Sequence, residues 1–126
     1  TALYLVCAFG EQRAAGFLIE HGSDVSVPGG RFGNPLQAAL AYIGGAACIQ
    51  ALLAKGTNVN ANSGHFGTAL MTSLKGDNDT IVEILLRNEA DPIQLSHKKR
   101  RRLHYACRKQ KLNAVQMLLR HGADVN

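Results

Sequence analysis

RRLHYACRKQKLNAVQMLLRHGADVN, residues 101–126, is the stretch that decides the fold. Two short helical patterns lie in it back to back. The first places Leu103, Ala106 and Cys107 on one face. The second places Val115, Leu118 and Leu119 on one face, the i, i+3, i+4 spacing of an amphipathic helix. Gly122 follows and stops the second helix, because a left-handed residue after a helix carries no Cβ penalty in glycine. Two such helices cannot bury their own apolar stripes, so the pattern demands copies of itself elsewhere in the chain.

Three more copies precede it, starting at Thr1, Asn34 and Thr68, so that the offsets are 33, 34 and 33 residues. Each unit carries Leu at its third position: Leu3, Leu36, Leu70 and Leu103. Each second helix closes on a paired apolar step: Leu18-Ile19, Leu52-Leu53, Leu85-Leu86 and Leu118-Leu119. One extra residue in Ala41-Tyr42-Ile43-Gly44 absorbs the longer offset.

Over its whole length the chain resembles the ankyrin repeat. The family's T-P-L-H start is matched in altered form by Thr1-Ala2-Leu3-Tyr4, Asn34-Pro35-Leu36-Gln37, Thr68-Ala69-Leu70-Met71 and Arg101-Arg102-Leu103-His104. The G-A-D-V-N end is intact at Gly122 to Asn126 and altered at Gly22 to Ser26 and Gly56 to Asn60. The resemblance implies an all-α solenoid of four stacked helix-turn-helix units, 1–33, 34–67, 68–100 and 101–126, with β-hairpin or loop fingers between them. The G-N-P-L-Q-A-A and F-G-T-A-L wording is similar to the ankyrin arrays of large fungal signalling NTPases.

The composition agrees with a stack. Hydrophobic residues make up 46% and aromatics only 6%, which suits a core of Leu, Ala, Val and Ile. No 18-residue apolar run exists, so no membrane span is expected. The opening TALYLVCAFG has the look of a signal-peptide core, but it has no basic stretch before it and aligns with the first helix of the other units. Both ends fall on unit boundaries without the polar outer face of a capping unit, so the chain reads as a piece of a longer array.

Three cysteines, an odd number, do not suggest a disulfide framework. Cys7 and Cys107 hold the same position in the first and last units. Three helix layers of roughly 8–10 Å separate them, and a disulfide needs Cα atoms within about 7 Å. Cys48 falls on the inward face of a second helix. All three read as small core hydrophobes of a reducing, cytoplasmic environment, with the nucleus as the alternative.

The units differ in their punctuation. Thr1 and Asn34 are N-caps, Pro35 is preset for the first helical position, and Gly22 and Gly56 close second helices. Val27-Pro28-Gly29-Gly30-Arg31-Phe32-Gly33 and Asn62-Ser63-Gly64-His65-Phe66-Gly67 are turn chemistry sharing G-x-F-G. Phe32 and Phe66 are therefore equivalent and are expected to pack at the finger base. In the third unit Glu89 stands where glycine should be, and its finger, residues 92–100, has no glycine. That junction is expected to be less regular, and Ser96 could cap an early start of the next helix.

Charge is concentrated. Lys98, Lys99, Arg100, Arg101, Arg102, Arg108, Lys109 and Lys111 are eight of the fourteen basic residues, with no acid among them. The remainder holds six basic and nine acidic residues, 6 − 9 = −3, so the net +5 is a basic block on a mildly acidic scaffold. Arg101 and Arg102 oppose a helix dipole at its start, so local stability does not explain them. The resemblance implies that partners are gripped by finger tips and by the exposed ends of first helices. Carried to this chain, those places are Arg31, His65, Lys75, His97, Lys98, Arg100, Arg108 and Lys109. The expected partner is a protein or peptide, acidic in character. The alternatives are a solvated charge run, and nuclear import or nucleic-acid phosphate contact through Lys98 to Arg102. Only Tyr105 interleaves with the basic residues, which argues against base stacking.

No catalytic, cofactor or metal site emerges, and no small-molecule substrate is implied. Asp24, Asp91 and Asp124 hold the repeat's own position after the helix stop, and Asp77 and Asp79 lie in an inter-helix turn. His104 and Cys107 are two ligands where zinc needs about four. Gly29-Gly30-x-x-Gly33 has neither the preceding strand nor the following Lys-Ser/Thr of a phosphate loop. The expected function is a non-enzymatic interaction scaffold; a further alternative is the sensor arm of a larger signalling NTPase.

Overall fold

A computed structural model of the chain describes residues 1–42, 45–65, 67–76, 78–92 and 112–122. Within them lie seven helices: α1 (Ala2–Ala8), α2 (Gln12–Glu20), α3 (Pro35–Ala41), α4 (Ala46–Ala54), α5 (Ala69–Lys75), α6 (Asp79–Arg87) and α7 (Leu112–Arg120). None of the described residues is in a strand; the loops at 27–33 and 61–65 are turns and bends. The first helix of the fourth unit, the third finger with Ser96, the Ile43-Gly44 insertion, Phe66, Asp77 and Cys107 lie outside the described residues.

Helices α1 and α2, α3 and α4, and α5 and α6 pair as hairpins. The hairpins then stack, α1 on α3 and α3 on α5 in one row, α2 on α4 and α6 on α7 in the other. The third-position leucines Leu3, Leu36 and Leu70 are fully buried, as are Ile49, Leu52, Leu85 and Leu118 of the second helices. Each such leucine or isoleucine contributes about 1.5–3 kcal/mol by leaving water. Leu5 and Ala38 hold the same position one unit apart, yet Leu5 is 53% exposed and Ala38 is 0%. The difference is α1 itself, which covers that side of α3; burial here comes from the neighbouring unit.

Capping is repeated with the units. The Thr1 hydroxyl accepts the Tyr4 N–H at 3.2 Å. Asn34 Oδ1 accepts the Gln37 N–H at 2.9 Å while Gln37 Oε1 accepts the Asn34 N–H at 3.0 Å, a reciprocal capping box ahead of Pro35. Thr68 and Asn78 cap α5 and α6 in the same sense.

At the other end the second helices close identically. Ser23, Thr57 and Ala90 donate N–H groups back to the carbonyls of Leu18, Leu52 and Leu85 at 3.0, 3.3 and 3.0 Å. Glu89 makes this turn with φ 66°, left-handed without being glycine. The glycine-free stop in the third unit is thus as regular as the others, and its cost is local strain of about 1–2 kcal/mol rather than a changed path.

One helix is rotated from its expected register. Spacing puts Leu119 on the apolar face of α7, but it is 39% exposed, and Met117 is buried beside Leu118 instead. The covered stripe of α7, a helix that packs against α6, therefore includes Met117 and Leu118.

Candidate functional site

The loop at 27–33 is closed by the Gly29 N–H donating to the Gly33 carbonyl at 2.8 Å, which leaves Arg31 exposed at its tip. The Arg31 guanidinium lies 6.0 Å from the centroid of the Phe32 ring, within cation–π range. Phe32 is half-buried and meets Tyr42 edge to face at 5.2 Å. Its packing at the base of the loop agrees with the sequence expectation.

Two buried side chains hold the loops, and both come from the fourth position of a unit. Tyr4 Oη accepts the Phe32 N–H at 3.1 Å. Gln37 does more: Nε2 donates to the carbonyls of Ala61 at 3.2 Å, Ser63 at 3.0 Å and Gly67, while Oε1 also accepts the Ser63 hydroxyl at 2.7 Å. In the first two units the first helix thereby sets the shape of the loop that follows it. In the third unit the same position is Met71, which has no such donor.

The two loops are also joined to each other. The His65 N–H donates to the Arg31 carbonyl at 2.9 Å. Gly64 must be glycine for this approach, since a Cβ there would collide with the Phe32 carbonyl, and its φ of 70° is left-handed. Arg31 and His65 are thus brought onto adjoining loop tips. Lys75 lies elsewhere, exposed at the C-terminal end of α5, where a cation complements the helix dipole. His97, Lys98, Arg100, Arg108 and Lys109 lie outside the described residues.

Sequence spacing did not draw attention to two aromatics. Phe9 and Tyr42 end the first helices of successive units and are 76% and 52% exposed. Their signal was available: both stand at the ninth position of a unit.

Of the three aspartates at the position after the helix stop, Asp24 has a structural role in its turn, and Asp124 lies outside the described residues. Asp24 accepts the Ser26 hydroxyl at 2.5 Å and the Ser26 N–H at 2.8 Å, and these bonds hold its carboxyl below the usual range. Asn58, one unit later, accepts the Asn60 N–H at 3.0 Å in the same turn. Asn60 then ties this turn to the next unit, donating to the Glu89 carbonyl at 3.0 Å and accepting the Asp91 N–H at 2.7 Å. Among the described residues no group of three or more His, Cys, Asp or Glu side chains could hold a metal, and no helix is long and apolar enough to cross a membrane.

The stacked hairpins, the fourth-position side chains binding the following loop and the repeated helix stops make one structural unit used again and again. A family model described as ankyrin repeats (3 copies) matches residues 36–126. The chain belongs to the ankyrin-repeat family. No curated protein matches the chain. Ankyrin repeats are in general protein–protein interaction modules and typically carry no catalysis. In this ankyrin chain the adjoining loop tips of the first two units bear Arg31 and His65.

Proposed function

We propose that this chain is a non-enzymatic ankyrin module whose loop tips and first-helix ends grip a segment of an acidic partner protein. The observation that carries the reading is the coupling of adjoining loops through Gln37 and the Arg31–His65 backbone bond. Loops held this way meet a partner already ordered, which lowers the entropic cost of binding. Arg31 has no carboxylate partner among the described residues, where the only ion pair is Arg87 with Glu83 at 3.0 Å. Its charge is therefore available to an incoming acidic group. The eight basic residues between Pro92 and Asn113 extend the same sign of charge into the fourth unit.

We also infer that units 1–33, 34–67, 68–100 and 101–126 continue into a longer array. That inference rests on Leu5, whose equivalents Ala38 and Thr72 are buried by a preceding unit.

The test is charge reversal of Lys98, Arg100, Arg108 and Lys109 to Glu, with Arg31→Glu made separately. Binding is read by fluorescence anisotropy against a library of acidic peptides at increasing salt. The expected result is wild-type binding that weakens with salt, loss of binding in the quadruple variant and weakened binding in Arg31→Glu. Binding unaffected by salt and by both variants would refute the basic-face reading.

A further inference from the structure

Cys7 in α1 and Cys48 in α4 are 41 residues apart in sequence, and their sulfurs are 3.9 Å apart. They belong to different units. Both are free thiols, with Cys7 1% exposed and Cys48 6%. Neither is needed there as a hydrogen-bonding group, since their only polar contact is with each other. Packing alone would be served by alanine or valine.

We propose that Cys7 and Cys48 are an oxidisable pair that closes into a disulfide and clamps the first unit to the second. The bond requires the sulfurs to close from 3.9 Å to about 2.05 Å, a shift within the reach of side-chain rotation and small helix movements. The oxidant is a peroxide. The Cys48 thiol sheds its proton, the thiolate attacks one peroxide oxygen, the O–O bond breaks, and the departing hydroxide takes up that proton as water, leaving a sulfenic acid on Cys48. The Cys7 sulfur then attacks the Cys48 sulfur, the S–O bond breaks, and the departing hydroxide takes up the Cys7 proton. Two thiols and one hydrogen peroxide become one disulfide and two waters, with two electrons passing from sulfur to oxygen.

The order of events follows from the site. Cys48 is the less buried residue of the two, and the hydrogen bond between the two sulfurs draws its pKa down. The same bond, followed by burial, pushes the Cys7 thiol up. Cys48 is thus the first nucleophile and Cys7 the resolving thiol.

In a stack whose units depend on their neighbours, such a bond removes the opening of unit one from unit two. Cross-linking a loop of 41 residues should raise the melting temperature by roughly 5–15 °C.

The experiment uses the full chain and its Cys107→Ala variant, reduced, freed of reductant and exposed to hydrogen peroxide. Remaining thiols are alkylated under denaturing conditions and the chain is digested with trypsin. The expected product joins residues 1–13 to residues 32–55 with the loss of two hydrogens, and dithiothreitol reverses it. The oxidised chain melts higher than the reduced one, and Cys48→Ala shows neither the cross-link nor the rise. Recovery of the two peptides unlinked, with peptide 103–108 as the only oxidised species in the full chain, would overturn the proposal. So would a cross-linked chain that melts no higher than the reduced one.

Discussion

Gln37→Ala removes the side chain that binds the second loop to the second unit. The amide has two hydrogens and faces three carbonyls, so at least one N–H is shared between acceptors. Its oxygen accepts from Asn34 and Ser63 as well. After truncation the Ala61 and Ser63 carbonyls, which are half-buried, regain water. The Gly67 carbonyl and the Asn34 N–H are in buried residues and stay unpaired. Two such orphans cost about 1–3 kcal/mol each, and alanine returns a few tenths through helix propensity. The expected loss is therefore about 3 kcal/mol, read as a lowered midpoint in urea by circular dichroism with an unchanged slope. Hydrogen exchange should show faster amides in 61–67. Gln37→Glu supplies an independent check. A carboxylate aimed at three carbonyls is repelled, so the variant is weakest at neutral pH. Its folded-state pKa is raised, so stability returns as pH falls through that value and the acid proton can donate. A loss below about 1 kcal/mol in Gln37→Ala, or a Gln37→Glu variant as stable as wild type at pH 7, would refute the assignment of the loop to Gln37.

Two other substitutions probe the turns. Glu89→Gly relieves the left-handed strain at φ 66° but loosens the unfolded chain, for a net gain of about 0.5–1 kcal/mol in thermal or urea unfolding; a destabilised variant would mean that the Glu89 side chain makes a compensating contact. Asp24 should titrate below its model-compound value of 3.8 in carboxyl NMR, and Ser26→Ala should return it toward that value. Because the folded pKa is lowered, the contribution of Asp24 to stability is present above the unfolded value and is lost as pH falls through the folded one.

The arrangement of the fold was legible because it is written several times. Leu3, Leu36 and Leu70, the caps Thr1 and Asn34 and the stops Gly22 and Gly56 each follow from one local rule that the next unit repeats. What spacing could not show was contact between units. Cys7 and Cys48 stand at unrelated positions of different units, and only the stacking of hairpins brings their sulfurs together. The reach of Gln37 into the following loop is hidden in the same way, because its partners are backbone atoms that any sequence would supply. Leu119 misled because a nine-residue helix with apolar side chains at 115, 117, 118 and 119 admits more than one stripe, and the neighbour chooses.

Each helical hairpin stands only against the next. Ala38→Glu tests it directly, since Ala38 is fully buried on the side of α3 that α1 covers. Hydrogen exchange by mass spectrometry on the intact chain reads the outcome helix by helix. The expected result is that α1 and α2 lose protection together with α3, although neither was altered. Protection of α1 and α2 at the wild-type level, with loss confined to α3 and α4, would contradict it.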